Sequence, residues 1–346
     1  MTTDTTTVFV TGAGGFVGQA LTEALLIQGF KVRAFELTGS SNLKDLLKLG
    51  TKYPDLTVIE GDVRNKSSIF KAIGDATHVV HSAALLNSVA SYQTFSQINV
   101  EGTRNALDVA IAKGVRRFLL VSTSDVFGIP KPDEVLSEAS DYKPWQEPYA
   151  DTKIQACKLV KSYHQTHHLE YTIIYPGWVY GPGDKQFFPA IIQMLEDKHV
   201  FLWHKKAPYQ IDFIFIEDLV NAIIKALINP VARNEDFIIL NEQATMTPED
   251  VFSRMANHLK IPIKVHKIPY PLMMVVSRLS QWLCRKGITS SHLLSSTDVK
   301  AFGNNFRFTT DKARTLLDWQ PEASEIEGIK RYFQWLENDA RSSSTS

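Results

Sequence analysis

Two short strings in this sequence carry residue types that could hold a dinucleotide and move a proton. One is Thr11-Gly12-Ala13-Gly14-Gly15-Phe16-Val17-Gly18, and the other is Tyr149-Ala150-Asp151-Thr152-Lys153. A phenol and an ammonium four residues apart share one face of a helix. Hydride transfer at a carbon that bears oxygen needs a fixed nicotinamide and an acid or base beside that carbon. Together the strings predict a site for this chemistry.

Tyr149 is the predicted acid or base, and Lys153 is the group expected to tune it. A free phenol has a pKa of about 10, and lowering it by two units requires roughly 3 kcal/mol. An ammonium ~4 Å away at an effective dielectric of ~20 supplies about 4 kcal/mol before desolvation losses. Thr123 follows an apolar run of strand length and is expected to hold the substrate oxygen beside the phenol. The attraction of the ammonium exceeds the cost of lowering the phenol pKa, so the lysine is sufficient to acidify the tyrosine.

The glycine-rich string follows the apolar run 8–10 and precedes a segment with helical periodicity. Gly12 is expected to turn the chain, Gly15 to let backbone N–H groups approach a pyrophosphate, and Gly18 to allow close helix packing. Glu36, at the end of the second apolar run, can accept hydrogen bonds from adenosine ribose hydroxyls and would repel a 2′-phosphate. The favoured cofactor is therefore NAD(H), with NADP(H) as the alternative.

Other charged residues near these runs bear on the same prediction. Lys31 and Arg33 precede Glu36 and weaken the preference for NAD. Asp62 follows the third apolar run, where it is expected to contact adenine; an ordinary strand-end turn is the alternative interpretation.

Composition limits the class of protein. The 346 residues, 44% of them hydrophobic, can bury a large α/β core. Lys plus Arg equals Asp plus Glu at 37 each, which argues against a nucleic-acid partner. Cys157 and Cys284 lack metal-ligand spacing, so we expect free thiols, no metal site and a reducing, cytoplasmic location. Neither a secretory signal nor a run of ~18 apolar residues is recognisable.

Short apolar runs alternate with longer segments of helical periodicity through the first half of the sequence. The apolar runs are 8–10, 32–35, 56–59, 78–81, 118–121 and 171–174, and the helical segments are 15–28, 67–73, 90–113 and 149–167. This alternation is typical of βαβ units. It predicts an α/β fold, a Rossmann-type doubly wound parallel sheet with a smaller C-terminal substrate lobe.

After about residue 177 the alternation of strand and helix patterns gives way to loops that contain proline. This change in the sequence pattern predicts the domain division. Residues 1–180 are expected to form the NAD-binding domain and residues 181–340 mainly the substrate lobe. Segment 212–240 is expected to return and complete the sheet, and residues 341–346 are expected to be disordered.

Several strings, taken in order, resemble motifs of the extended short-chain dehydrogenase/reductase superfamily, also called the NAD-dependent epimerase/dehydratase family. The glycine turn resembles its Thr-Gly-x-x-Gly-x-x-Gly, His81-Ser82-Ala83-Ala84 its motif after the fourth strand, and Asn99-Val100-Glu101-Gly102-Thr103 its structural asparagine segment. Val126-Phe127-Gly128 resembles its Val-Tyr-Gly string. That landmark implies Thr123 as the catalytic hydroxyl, with Ser124 as the alternative, and Phe127 at a position expected to pack.

The resemblance also implies further contacts to the cofactor. Lys153 would hydrogen-bond the nicotinamide ribose, and residues 176–179 would border the nicotinamide. The expected cofactor-binding residues are Gly12, Gly14, Gly15, Phe16, Val17, Glu36, Asp62, Val63, Ala83, Lys153, Pro176 and Val179. The expected substrate-side residues are Ser124, Asp125 and Trp178.

Departures from the family pattern limit the classes of substrate that this sequence fits. Nucleotide-sugar members carry an asparagine where this sequence has Trp178 and an arginine where it has Ile211. A diphosphate buried without charged donors is costly, so this substrate is disfavoured unless Lys205 or Lys206 supplies the charge. The dehydratases use two acidic residues after the catalytic threonine, whereas only Asp125 is present here, which disfavours elimination chemistry.

With those two branches disfavoured, the sequence is most similar to the 3β-hydroxysteroid dehydrogenase-like and dihydroflavonol reductase-like branch of the family. The reaction implied is NAD(H)-dependent interconversion of a secondary alcohol and a ketone on a steroid-like, flavonoid-like or keto-acyl substrate. The alternatives are a nucleotide-sugar 4-epimerase and a non-catalytic dinucleotide-sensing regulator.

Two surfaces carry expectations about partners. The apolar helical segment 271–283 is interpreted as a wall over the substrate, as core or a dimer face, or as a membrane contact. Helical segments 90–113 and 149–167 are expected to pair with their copies in a homodimer, as in similar proteins.

Overall fold

The structure is a computed structural model that describes residues 6–86, 90–131, 133–204, 211–243, 246–286, 288 and 296–344. The strands are β1 (Thr7–Thr11), β2 (Lys31–Leu37), β3 (Leu56–Gly61), β4 (His78–His81), β5 (Arg117–Val121), β6 (Glu170–Pro176), β7 (Trp178–Tyr180), β8 (His199–His204), β9 (Phe213–Phe215), β10 (Glu235–Ile239) and β11 (Lys264–Pro269). The α-helices are α1 (Phe16–Ile27), α2 (Leu43–Lys52), α3 (Lys66–Ala72), α4 (Tyr92–Phe95), α5 (Gly102–Ala112), α6 (Pro148–His167), α7 (Phe187–Glu196), α8 (Ile216–Ile228), α9 (Pro248–Leu259), α10 (Tyr270–Arg285), α11 (Ser296–Phe302), α12 (Asp311–Leu317) and α13 (Glu325–Ser344). A π-helical turn, Ser96–Glu101, joins α4 to α5.

Within these ranges, seven strands form one parallel sheet in the order β10-β6-β5-β4-β1-β2-β3. The chain builds outward from β1 to β3, then returns to the other side of β1 to add β4, so the direction of winding reverses between β1 and β4. All carboxyl ends share one edge, and ligands bind to such sheets at the point of reversal. This topology confirms the predicted Rossmann-type doubly wound fold.

The sheet separates two buried clusters, and side-chain alternation in β1 shows why. Val8 and Val10 pack into the cluster that contains α1 and α8, whereas Phe9 packs into the one that contains α3, α5 and α6. Successive strand residues point to opposite faces, so an uninterrupted apolar run serves a sheet covered on both sides.

The segment expected to complete the sheet divides in two. β10 joins the large sheet beside β6, whereas β9 pairs with β7 in a separate two-stranded sheet. Phe213 and Phe215 of β9 pack against Tyr180 of β7 at ring-centroid distances of 5.3 and 5.6 Å, which ties this strand to its partner. The expectation of a return to the sheet therefore holds for β10 and not for β9.

The C-terminal helix extends farther than composition predicted. α13 continues through Ser344, so residues 341–344 are helical and the expectation of disorder there is corrected. Tyr332 and Phe333 of this helix are buried in the core, and a helix anchored in this way can propagate by one hydrogen bond per added residue. Residues 345–346 lie outside the described residues. No helix in the part of the chain that is described is both long and apolar enough to cross a membrane.

Arg117, the first residue of the interior strand β5, joins the large sheet to the end of α8. Its Nη1 donates to the carbonyl oxygens of Ala226 at 3.0 Å, Leu227 at 3.4 Å and Asn229 at 3.0 Å, and its side chain is buried. The last carbonyls of α8 have no partner within the helix, so the guanidinium acts as their cap.

We expect Arg117→Ala to lower the free energy of unfolding by about 3 kcal/mol, because it leaves buried carbonyls without a donor. The neighbouring Arg116 is exposed, so Arg116→Ala should change stability by no more than about 0.5 kcal/mol. Urea unfolding of both variants measures the difference. If both variants lose the same small amount of unfolding free energy, the cap contributes little to stability.

Candidate active site

The glycine string forms a cradle that side chains would fill. Gly12 has a φ of +66°, and a Cβ there would lie 2.7 Å from the Cα of Ala83. A Cβ on Gly18 would overlap the Gly12 carbonyl oxygen, which confirms the predicted close packing of α1 against the turn. Gly15 is the N-cap of α1 and adds no side chain at the amino end of this helix. An amino end left open in this way suits a pyrophosphate.

Glu36 lies next to this cradle and contacts it. Its Oε2 accepts a 2.8 Å hydrogen bond from the Gly14 backbone N–H, and its side chain is buried at the carboxyl end of β2. Arg33 Nε donates to the Ala72 carbonyl at 2.8 Å, and Lys31 lies at the opposite end of the strand. Arg33 is thus held by a carbonyl of α3, and Lys31 lies away from Glu36. The residues present therefore fit the ribose hydroxyls of NAD better than the phosphate of NADP.

Asp62 and Val63 lie beyond β3. Asp62 accepts hydrogen bonds from the backbone N–H and Nε of Arg64, both at 2.8 Å, and these contacts lower the pKa of the Asp62 carboxyl. Val63 is buried, and a Cβ on Gly102 would come within 2.8 Å of it. The structure thus contains the strand-end turn that was the alternative interpretation of Asp62, and the adenine contact stays a prediction.

The remaining predicted cofactor residues lie at the same edge of the sheet. Phe16 and Val17 open α1 and are half-buried. Pro176 ends β6, and Val179 lies in β7 immediately after it.

Asn99 connects the loop after β4 to the helix that carries the catalytic candidates. Its amide oxygen accepts from Leu85 N at 2.7 Å, and its Nδ2 donates to Leu85 O at 3.2 Å and to Thr152 Oγ1 at 3.1 Å. Thr152 lies between Tyr149 and Lys153 on α6. The π-helical turn that holds Asn99 is a geometry often found at functional sites, and here it supports the position of α6.

Lys153 is buried beneath the carboxyl end of β5. Its Nζ donates to the Val121 carbonyl at 2.7 Å. Burial lowers the pKa of this lysine to about 8, so the ammonium form still predominates near neutral pH. One turn farther along α6, Cys157 Sγ and Ser122 Oγ are 3.0 Å apart.

Thr123 and Tyr149 are brought together, although 26 positions separate them in the sequence. Glu147 is the N-cap of α6 and accepts from the Tyr149 backbone N–H at 3.2 Å, which sets the first turn of the helix. The Tyr149 phenol lies near the Thr123 side chain, close enough for that hydroxyl to act on its pKa. Thr123 Oγ1 in turn donates to Asp125 Oδ2 at 3.1 Å. A phenol, a hydroxyl and a carboxyl thus lie close together at this point of the sheet edge.

The electrostatics of Tyr149 correct one expectation. Burial, followed by the negative charge of Asp125, raises the pKa of the phenol above its ordinary value, with Cys157 and Glu147 acting in the same direction. The predicted acidification by Lys153 is wrong for this structure. The reason is that the ammonium is bonded to the Val121 carbonyl while carboxylates lie close to the phenol.

Asp212 is a buried carboxyl that sequence reasoning missed. Ser124 Oγ donates to its Oδ2 at 2.8 Å, and burial together with Asp125 raises the pKa of Asp212 to about 7. Burial likewise raises the pKa of Asp125 to about 6. Asp125 is still the one carboxyl that follows Thr123 in sequence, and the fold adds Asp212 beside Ser124. Ser124 and Asp212 are 88 residues apart, so local spacing carries no sign of this contact.

The 3₁₀ turn Ser124–Phe127 follows Thr123 directly. Phe127 is fully buried, with ring centroids 5.0 Å from Tyr175 and 6.3 Å from Phe308. This confirms that the position packs, and it explains why a phenyl ring can replace the tyrosine of the family pattern.

The two positions that depart from the nucleotide-sugar pattern are apolar in the structure as well. Trp178 is half-buried and packs edge-on against Phe187, with ring centroids 5.0 Å apart, and Ile211 is buried. Lys205 and Lys206, the alternative source of charge, lie outside the described residues.

The segment 271–283 lies within α10. Met273 is buried and Met274 partly buried in a small cluster with Trp203 and Val299, whereas other apolar residues of this helix are exposed. The interpretation as plain core is therefore wrong for the exposed face. Among the described residues, no group of three or more His, Cys, Asp or Glu side chains could hold a metal ion.

The fold is a doubly wound parallel sheet with a glycine cradle beside a buried carboxylate, and Tyr149 lies near Thr123 at the carboxyl end of β5, where Lys153 is bonded. These features define a Rossmann-type enzyme that uses a nicotinamide dinucleotide. Residues 8–239 match the NAD dependent epimerase/dehydratase family, and the chain belongs to that family. The resemblance inferred from the motifs is thereby confirmed.

Individual relatives show how wide this family is. The uncharacterized protein YbjS of Escherichia coli is 25% identical over 96% of this chain and 98% of that protein. The 3beta-hydroxysteroid-dehydrogenase/decarboxylase isoform 1 of Arabidopsis thaliana is 27% identical over 93% of this chain and 77% of that protein. The UDP-glucuronic acid 4-epimerase from Bacillus cereus, solved in complex with NAD, superimposes with a TM-score of 0.76 at 21% identity, covering 96% of this chain and 99% of that one. At this identity the last likeness shows the fold alone.

Proposed function

We propose that this protein interconverts a secondary alcohol and a ketone on a mainly apolar small molecule with NAD(H). The observation that carries the proposal is that Tyr149 lies near Thr123 at the carboxyl end of β5, where the buried Lys153 bonds the Val121 carbonyl. The similarity to a plant protein named as a hydroxysteroid dehydrogenase supports the alcohol–ketone class.

The cofactor is proposed to lie across the glycine cradle, with Glu36 accepting from the adenosine ribose and Lys153 donating to the nicotinamide ribose. NAD(H), when bound, supplies or accepts a hydride. The chain's own contribution is then to align the substrate oxygen and to move one proton.

Tyr149 is proposed to give its phenolic proton to the substrate oxygen in the reducing direction and to take it back in the oxidising direction. Thr123 holds that oxygen beside the phenol. Because burial and Asp125 raise the pKa of Tyr149, the phenol keeps its proton at neutral pH. A protonated phenol is the form that ketone reduction needs, so these electrostatics support reduction as the favoured direction.

Asp125→Asn is expected to shift the pH profile of alcohol oxidation. With a pKa of about 6, Asp125 is negatively charged near pH 8, and this charge helps raise the pKa of Tyr149. The amide removes the charge while Glu147 and Cys157 remain, so the pKa of the phenol falls and a larger fraction of it is ionised at a given pH. At about pH 8 the oxidation rate should therefore rise, on the order of severalfold. Asp141→Asn, at an exposed position, should leave the profile in place.

The pH dependence of kcat is measured for both Asp→Asn variants and for the unmodified protein. A rising limb that does not move in Asp125→Asn would show that this carboxylate does not act on the phenol.

The substrate skeleton is proposed to be steroid-like, flavonoid-like or keto-acyl. Trp178, packed on Phe187, and the buried Ile211 offer apolar contacts where a sugar nucleotide would need polar donors. A nucleotide-sugar 4-epimerase is the second candidate, since the fold is shared with a protein solved as such an epimerase.

The two candidates differ in their use of the cofactor. The proposed reductase consumes NADH when ketones of these classes are added, and uridine diphosphate sugars do not raise its thermal unfolding temperature. An epimerase shows stabilisation by those sugars with no net change in NADH. Tight NADH binding without turnover of the ketones or of the uridine diphosphate sugars would instead support the dinucleotide-sensing regulator.

We further propose a homodimer paired through α5 and α6, and a cytoplasmic location. The described cysteines, Cys157 and Cys284, are free thiols, which supports a reducing compartment. Sedimentation velocity tests the dimer, and a monomer across the accessible concentration range would remove that proposal.

A further inference from the structure

One side of α10 exposes a continuous apolar surface, which we name the α10 face. It consists of Leu272, Val275, Val276, Leu279 and Trp282. These side chains are between 41% and 62% exposed. Their spacing of three and four residues puts them on one side of the helix, while Met273 and Ser277 on the opposite side are buried. The helix is thus anchored by one side and presents a second apolar side to the surroundings.

Contiguous exposed apolar surface marks an interaction site more often than scattered single residues do. The α10 face occupies most of a 16-residue helix and includes a tryptophan, a residue type that is favoured where an apolar phase meets water. Its polar surroundings identify the kind of partner.

The stretch of sequence that contains α10 has cations and no anions. Between Asp250 and Asp298 the sequence has no Asp or Glu. Over the same stretch it has Arg254, Lys260, Lys264, Lys267, Arg278, Arg285 and Lys286. This segment is strongly basic within a chain whose total charges balance at 37 of each sign.

Four cations of this stretch are exposed on α10 itself or on the segments that directly precede and follow it. Arg278 is exposed on α10 beside Leu279, and the exposed Lys286 follows the last turn of the helix. Lys264 and Lys267 are exposed on β11, which leads directly into α10, and Lys267 also pairs with Glu249 at 2.9 Å. An apolar strip with a basic border is the pattern of helices that lie in the plane of an anionic membrane surface.

We propose that the α10 face docks onto an anionic lipid surface. The apolar side chains enter the boundary between headgroups and acyl chains, and the bordering Lys and Arg side chains meet the lipid phosphates. A second copy of this chain complements the face less well, because a two-fold contact sets identical patches against each other and so opposes two basic borders.

The test is co-sedimentation with vesicles of phosphatidylcholine alone and of phosphatidylcholine with about 30% phosphatidylglycerol, at low salt, where surface attraction is least screened. We expect binding to the anionic vesicles and at least about tenfold weaker binding to the neutral ones. The double variant Val275→Asp/Leu279→Asp should bind the anionic vesicles at least about tenfold more weakly.

The matched control is Ile27→Asp/Ile228→Asp, which makes the same change of charge at two exposed apolar positions on α1 and α8. This control should keep its vesicle binding. NADH affinity and the thermal unfolding midpoint verify that both variants are folded.

Four outcomes would overturn the proposal. They are no binding to anionic vesicles, equal binding to neutral and anionic vesicles, equal losses in the two double variants, and a dimer in sedimentation velocity that only the α10 variant abolishes. The last result would identify the α10 face as a contact between copies of the chain.

Discussion

Replacing Tyr149 by phenylalanine is expected to lower kcat for ketone reduction by about 10³-fold, equivalent to ~4 kcal/mol of transition-state stabilisation. The variant removes one hydroxyl, so the substrate oxygen no longer has a proton donor beside Thr123. The phenyl ring keeps its place in the first turn of α6, whose N-cap, Glu147, bonds the backbone and not the phenol. Folding and NADH affinity should therefore remain unchanged.

Tyr163→Phe is the matched control for this experiment. Tyr163 lies on the same helix, and its hydroxyl donates to Asp108 at 2.6 Å, away from the Thr123 hydroxyl. Its removal should change kcat by less than about threefold. Steady-state kinetics and NADH fluorescence titration are measured for both variants. If Tyr149→Phe retains more than about a tenth of kcat, the phenol is not the proton donor.

Gly12→Ala is expected to weaken NADH binding by at least about 100-fold, or ~2.7 kcal/mol. A methyl group there would lie 2.7 Å from the Cα and 2.8 Å from the N of Ala83. Backbone atoms cannot rotate away as a side chain can, so the turn or the loop after β4 must shift. Either shift distorts the cradle proposed to hold the pyrophosphate.

The chain provides a control that separates the clash from the backbone conformation. Gly114 has the same φ of +66°, but a Cβ there meets no atom within 4 Å. Gly114→Ala should lose about 1 kcal/mol of stability from the left-handed conformation and keep its NADH affinity. Isothermal titration and urea unfolding compare the two variants. Full NADH affinity in Gly12→Ala would contradict the cradle assignment.

Much of the fold and part of the candidate site were predictable because their signals are local. The apolar runs give strands with accurate positions, since a buried parallel strand is continuously apolar. The Gly12 and Gly18 contacts lie within one strand-turn-helix unit, and Tyr149 and Lys153 share one helix. Even α2, which was not among the predicted helices, buries leucines spaced three apart, a local pattern that periodicity can detect.

Contacts between distant segments carry no such signal. Asp212 reaches Ser124 across 88 positions, and β9 pairs with β7 instead of joining the large sheet. The exposure of the α10 face likewise depends on which side of the helix finds a partner, because the helix has apolar residues on both sides.

By itself, the sequence determined the order of strands and helices, the glycine turn, and the residue types available for proton transfer, because each depends on neighbours within a few positions. Only the tertiary structure decided the charge environment of those residues. The pKa of Tyr149 is raised instead of lowered because Asp125 lies close to the phenol while Lys153 is bonded to a strand carbonyl. Electrostatic effects depend on distance and burial in three dimensions, and the spacing of residues along the chain specifies neither.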